Sequence, residues 1–424
     1  MKTFLAVLCT LIASLSGGAC QQTNSPGTRT TARDIQSKPG RPYTVANQPP
    51  ITEVPSPASL FAKRLPGDIM SHLMANDVAL AVHALDACSS SGICSTNISF
   101  HHVNSNEVTE VPTYYGTASD PVYVLRSAGH AMTGAYNPIG VPFHCRQHAQ
   151  FSSGSSDQYF LCWDQTTNKV ISMFCYGSRG CQARQFPSCS STDPARPCDI
   201  GFSVGYAMIN NFDDPRGYGI GPWNPYASIF LAAPVGQIRV QELMQGHIYH
   251  ALYLNTLCQR GAPVFPDIFN WATAYQCNSN SGPNTDIAPP AGALVFLDYS
   301  DAQLALLKNY MPAWQYPIVE ALTHYGGYVG DTGNPLHPSR LEGEEAYLTD
   351  GMADPIFSWL HGQAGINSGC GPSGTCNLPW ANFAVAGQAC PAAGLCDITQ
   401  HIHIADPCVA EAMAGLSASQ GACF

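Results

Sequence analysis

The sequence predicts a mainly β protein: a β-sandwich or jelly-roll-like core with a few packed helices and a disulfide-rich C-terminal appendage. Three observations point there. From about residue 111 to 255, short β-type runs are separated by clusters of Gly, Pro, Ser and Asn, the texture of many short strands joined by turns. The long helices that a parallel α/β sheet interleaves between its strands are missing from that stretch. Cysteines recur throughout as close neighbours, the framework of an oxidised, stapled fold.

The first 19 residues carry Lys2, an apolar run over 4–15 and small residues at Gly17 and Ala19, the layout of a removable export signal. Residues 20–56 are rich in Thr, Ser, Pro, Gln and Asn, bury too little to offset their ordering entropy and read as a disordered tether. A β-rich main domain with helical elements is assigned to 57–365, and a Cys-rich extension to 366–424. Within the main domain a helix is expected over 66–85, where apolar residues from Ile69 to Leu85 recur at helical spacing. Strands are expected over 121–125, 158–163, 169–176, 227–231, 247–254 and 293–297. The polar turn from Asp164 to Asn168 makes the second and third a hairpin. Ser300 and Gln303 form a capping box that opens one helix, a second spans 315–324 and stops at Gly326 and Gly327, and a third covers 356–362.

Of the 18 cysteines, Cys9 lies in the signal and Cys20 at its cut. The remaining sixteen pair in order as Cys88 with Cys94, Cys145 with Cys162, Cys175 with Cys181, Cys189 with Cys198, Cys258 with Cys277, Cys370 with Cys376, Cys390 with Cys396 and Cys408 with Cys423. Zinc spacings of the C-x2-4-C kind do not occur. Two readings of Cys20 stay open: Gly17 stands where a lipoprotein signal usually has a large aliphatic residue, yet a lipid on Cys20 would avoid an odd free thiol. No later run reaches the roughly 18 apolar residues of a membrane helix. The expected location is therefore secreted or extracytoplasmic.

Net charge is −11, and charged residues make up 11% of the chain against about 25% in an ordinary globular domain. Without a basic stripe to neutralise phosphates, nucleic acid is excluded as a partner. A surface rich in Tyr, Ser, Asn and Gly suits a polysaccharide or oligosaccharide.

Candidate chemistry centres on His247 to Asn255, where alternation places His247, Tyr249 and Tyr253 on one face and His250 among aliphatics on the other. Those three, with Trp163, Trp271 and Tyr325, are the expected saccharide platforms. Glycosidic hydrolysis needs two carboxyl groups across the scissile bond; Glu242 and Asp331 are the expected pair, with His250 as a further catalytic candidate. A lyase would instead use His247 or His250 with Tyr249 or Tyr325 and take its carboxylate clamp from Arg126, Arg146, Arg216 or Arg239. His401 and His403, two apart on one strand face, with Asp406 three residues on, are the candidate metal ligands. No other cofactor is expected. Fingerprints of elbow-type serine hydrolases, P-loop and dinucleotide enzymes and zincins are absent.

The segments Glu242 to Leu252, Pro290 to Asp298 and Thr323 to Gly333 resemble an uncharacterised group of secreted soil-bacterial β-rich proteins, over about residues 65–354. The resemblance implies a predominantly β domain and export, and assigns no catalytic residue. The leading expectation is a secreted enzyme that hydrolyses a neutral polysaccharide. The alternatives are a His/Tyr polysaccharide lyase, a non-catalytic carbohydrate-binding or cell-surface protein, and a metal-dependent enzyme.

Overall fold

Strands make up most of the regular structure. The computed structural model describes residues 59–77, 81, 97–101, 111–131, 137–147, 149, 151, 157–176, 186–201, 204–211, 236–238, 240–256, 259, 263–266, 289–332, 337–338, 342–344, 375–379, 390–392 and 394–416. A two-stranded sheet pairs β1 (Asn97–His101) with β15 (Thr375–Pro379). The six-stranded sheet holds β2 (Val111–Gly116), β4 (Ala128–Ala131), β6 (Asp157–Asp164), β7 (Lys169–Tyr176), β9 (Val204–Asn211) and β14 (Glu342–Glu344), in the order β14-β2-β6-β7-β9-β4. The three-stranded sheet is β5 (Pro142–His144), β3 (Val122–Val124) and β8 (Cys198–Asp199). The five-stranded sheet holds β10 (Leu252–Thr256), β11 (Leu294–Leu297), β12 (Gly327–Thr332), β13 (His337–Pro338) and β16 (Ile402–Ile404), in the order β13-β10-β12-β11-β16. Both large sheets are mixed: β10–β12 and β2–β6 run parallel, while β11–β12 and β6–β7 are antiparallel. Helices are few and short: α1 (Val240–Gln245), α2 (Asp301–Leu307), α3 (Tyr316–His324) and α4 (Pro407–Met413). Among the described residues, no helix is long and apolar enough to cross a membrane.

The period-2 side-chain pattern explains the layering. Along β11, Leu294 and Phe296 join one buried cluster, while Val295 and Leu297 join another. The second cluster also takes Leu304 and Leu307 of α2 and Ile318, Val319, Ala321 and Leu322 of α3, so the helices cover one face of the five-stranded sheet. On its other face, Tyr253, Phe296 and Tyr328 pack with Tyr115, Leu161, Trp163 and Val170 of the six-stranded sheet. Tyr114, Phe160, Cys162 and Ile171, on the opposite face of that sheet, pack with Tyr123 and Phe143 of the three-stranded sheet.

The expected hairpin is present as β6 and β7, paired from Asp157↔Tyr176 to Asp164↔Lys169. The capping box is present too: the Ser300 side chain accepts from Gln303 N–H at 3.3 Å, and the Gln303 side chain accepts from Ser300 N–H at 2.8 Å. α3 ends as the chain turns through Gly326 at φ +73, where a Cβ would also press on the Val295 carbonyl at 2.9 Å. Cys145–Cys162, Cys189–Cys198 and Cys390–Cys396 are bonded as the spacing predicted, and Cys408 is disulfide-bonded as well.

Other expectations change. The helix expected from residue 66 is interrupted: Ile69–Ser71 is a short 3-10 turn, Leu73 bridges to Ala405, and Asn76 sits at φ 63. The strand expected from His247 starts only at Leu252. The catalytic candidate Asp331 lies within β12, opposite Asn255 after a register shift. The C-terminal segment was expected as a disulfide-rich appendage, yet Ile398, Ile402, Ile404, Val409 and Ala410 are buried in the core clusters, and β16 is a strand of the five-stranded sheet. The strand expected at 227–231, the helix at 356–362, residues 1–56 with Cys20, and pairings through Cys88, Cys94, Cys181, Cys258, Cys277, Cys370 and Cys423 fall outside the described residues, while Cys175 and Cys376 are described only as strand positions in β7 and β15.

Candidate functional site

Gly246, at φ +79, ends α1 and turns the chain so that the next four residues alternate outward and inward. His247 and Tyr249 point to solvent; Ile248 and His250 are buried. From Ala251 on, both faces are buried, because β10 lies between two strands and has a core cluster on either side. The alternation expected from sequence therefore yields an exposed face for only two of its members. Tyr253 is fully buried, its ring pressed against Gly330, where any Cβ would collide with it. Trp163 is also in the core, 5.7 Å centre to centre from Tyr115, its indole N–H donating to Asn168 at 3.2 Å. Neither can serve as the saccharide platform it was expected to be. Trp271 lies outside the described residues.

The outward pair meets α3. His247 Nδ1–H donates to Glu320 Oε2 at 2.7 Å, and the Tyr316 hydroxyl donates to Glu320 Oε1 at 3.0 Å. The carboxylate is thus held from both sides and fixes the imidazole. The His247 and Tyr249 rings lie 5.8 Å apart at 23°, with Tyr249 42% exposed. Tyr325, at the end of α3, lies beneath the Arg64 guanidinium, whose carbon is 6.0 Å from the ring centre. Burial pushes the Tyr325 phenol up; Arg64 opposes this, and Tyr249 and Glu320 add to it. Burial, then the charge and hydrogen bond of Glu320, push Tyr316 up to about 12. Both phenols keep their protons at neutral pH and act as donors. Glu320, Tyr316 and Arg64 were not singled out from sequence; the signal available was Glu320 four residues after Tyr316 on a helix, a spacing that makes the two neighbours.

A second cluster contains the two expected catalytic residues Glu242 and His250. Glu242 Oε1 lies 2.9 Å from His250 Nε2, His250 Nδ1–H donates to the Ala251 carbonyl at 2.8 Å, and both side chains are fully buried. No glycosidic bond reaches Glu242 in this arrangement. Asp331 is described only as a strand position in β12. Of the expected arginine clamps, Arg126 is tied to Asp199 at 2.6 Å.

The third cluster replaces the metal candidate. His401 Nδ1–H donates to Asp298 Oδ1 at 2.7 Å, His403 Nδ1–H donates to Asp77 Oδ2 at 2.7 Å, and His403 Nε2 lies 3.4 Å from Asp298 Oδ2, an ion-pair contact short of hydrogen-bond alignment. Asp406 is elsewhere occupied as the N-cap of α4, accepting from Cys408 N–H at 3.0 Å. The expected triad of His401, His403 and Asp406 is therefore not assembled, because capping claims the carboxylate. Among the described residues no group of three His, Cys, Asp or Glu side chains is placed to hold a metal ion. Contact with Asp298 raises the His403 pKa, burial opposes it, and Asp77 raises it further. Burial would raise Asp298, but hydrogen bonds and charge from His403 and His401 hold it below the usual carboxylate value.

No family model matches this chain, nor does any curated protein or solved structure.

Proposed function

We propose that the chain is an exported, disulfide-stapled saccharide-binding protein, freed of residues 1–19, held at the cell surface by the 20–56 tether with a lipid on Cys20, and built as a sandwich of its two large sheets. Its binding surface is the patch of His247, Tyr249, Tyr325 and Glu320. The observation that carries the reading is Tyr249: a large ring 42% exposed beside an imidazole that a buried-side carboxylate holds still. An exposed, immobilised aromatic face flanked by fixed donors and acceptors stacks on a sugar ring and orients its hydroxyls at little entropic cost. With charged residues only 11% of the chain, ring stacking and hydrogen bonds rather than dense charge pairing carry the contact. Hydrolysis by Glu242 and Asp331 is the weaker reading, since Glu242 is sealed in the core with His250.

Titration calorimetry against a panel of soluble glucans, mannans, xylans and uronate polymers tests this. One class should bind saturably, and Tyr249→Ala should weaken it by about 2 kcal/mol, roughly thirty-fold in Kd. Unchanged affinity in the Tyr249→Ala, Tyr325→Ala double variant would remove the patch from recognition.

A further inference from the structure

The same patch holds an oriented base, a protonated acid and a cation. With Nδ1–H committed to Glu320 Oε2, the remaining nitrogen of His247, Nε2, is the lone-pair side of the neutral ring. The His247 side chain is 37% exposed, and Nε2 meets no hydrogen-bond partner among the described residues. Glu320 is anchored in turn by the Tyr316 hydroxyl, so the ring is held in place while the side chain stays 37% exposed beside Tyr249. Tyr325 keeps its proton. Arg64 is exposed and pairs with no carboxylate among the described residues, yet its loop is not loose: Leu65 N–H donates to the His324 carbonyl at 2.8 Å, which fixes Arg64 at the end of α3 above Tyr325. Lys308 adds a second cation, its Nζ 4.9 Å from the Tyr316 ring centre.

Resting on the saccharide-binding reading, we propose that this patch takes a uronate-bearing polysaccharide and cleaves it by β-elimination, with His247 as the base. Arg64 neutralises the sugar carboxylate and so acidifies the proton on the adjacent ring carbon, C5. His247 Nε2 removes that proton, the C5–H electron pair becomes the C4–C5 double bond, and the C4–O bond breaks. The leaving oxygen takes its proton from the Tyr325 hydroxyl, and the proton on His247 returns to the phenolate through solvent. No electron is gained or lost overall, and no water is added to the product. The net charge of −11 repels a polyanion at long range, but that field is screened beyond about 10 Å at 0.1 M salt; nearby, Glu320 and Asp301 offset Arg64 and Lys308, so the sugar carboxylate is held by its direct contact with Arg64. Glu320 is a positioning residue, acting through the imidazole it holds.

The test incubates the full-length protein separately with polygalacturonate, alginate, hyaluronan and, as neutral controls, xylan and glucan. Ultraviolet absorbance reads the unsaturated product, and mass spectrometry reads fragment masses that sum to the parent chain without an added water. One uronate polymer should give unsaturated ends. His247→Gln, which has no basic nitrogen, should lower turnover at least a hundred-fold while weakening binding far less. His247→Ala should regain part of its turnover with free imidazole, which a merely structural histidine would not allow, and Arg64→Ala should lower kcat as well as raise KM. Saturable binding of a uronate polymer with no unsaturated product overturns the catalytic inference and leaves the binding reading standing. Binding to no saccharide at all overturns both, and product formation that survives His247→Gln removes His247 as the base.

Discussion

Glu242 and His250 illustrate how a residue can be prominent in sequence and yet be sealed in the core. Both were legible as chemistry-bearing side chains eight positions apart, but spacing does not say which face of α1 turns inward. Their contact at 2.9 Å with zero exposure makes them a fastening between α1 and the start of β10. Glu242→Ala removes this buried hydrogen-bonded contact, so it should cost about 1–3 kcal/mol, measured by urea unfolding. A loss below 1 kcal/mol would refute the structural role. His403 gives a pH-dependent counterpart. Its folded pKa lies above 6.5 and that of Asp298 below 3.8. The His403 contribution is complete below 6.5 and fades as pH rises through the higher folded value; that of Asp298 is complete above 3.8 and fades as pH falls through the lower one. The gap between wild type and His403→Gln should therefore be widest between about pH 4 and 6.5, at about 1.5–3 kcal/mol, and narrower at pH 9. A gap that grows toward pH 9 would contradict the pairing. Tyr328 is the opposite case. Its hydroxyl is fully buried and has no partner among the described residues, so Tyr328→Phe removes an unsatisfied group and should be neutral or stabilising by about 1 kcal/mol.

Among elements, those set by local rules were the ones readable in advance. The β6–β7 hairpin follows from two alternating runs around a polar turn, and α2 and α3 follow from a capping box and a pair of glycines. Elements set by tertiary contact were not readable. β16 is three residues long; the spacing of His401 and His403 suggested a strand face, but its place in the main sheet is specified by β11 beside it, Phe296 opposite His403. The 66–85 run shows the converse: apolar spacing suited a helix, but Leu73 pairs with Ala405 instead and breaks it. For the tail, magnitudes decide which force wins. Cys390–Cys396 closes a loop of separation 6, which by chain entropy contributes about 2 kcal/mol. Ile398, Ile402 and Ile404 are each 1% exposed or less, at about 1.5–3 kcal/mol apiece. Ile404→Ala should accordingly destabilise by about 2–5 kcal/mol, more than Cys390→Ala, Cys396→Ala together. Thermal denaturation of the two variants side by side decides the ranking, and the reverse order would restore the disulfide as the main source of order.

At the scale of the molecule, the order of layers assigns the disulfides distinct territories. The three-stranded sheet has strands of only three, three and two residues, too short to be stable alone. Both nearby disulfides fasten it: Cys145, just past β5, is bonded to Cys162 in β6, and Cys189 is bonded to Cys198 in β8. Their separations of 17 and 9 residues correspond to about 2.5–3 kcal/mol each. The five-stranded sheet depends on them little, because Leu252, Leu254, Val295 and Val329 are buried against α2 and α3. A reductant should therefore loosen the molecule from one side. Amides of Val122 and Tyr123 should exchange with deuterium about a hundred-fold faster after reduction, the factor for roughly 3 kcal/mol, while those of Leu254 and Val329 should change less than three-fold. Hydrogen exchange with and without reductant, read peptide by peptide, separates this from the alternative in which the layers share one cooperative transition and all four amides accelerate together.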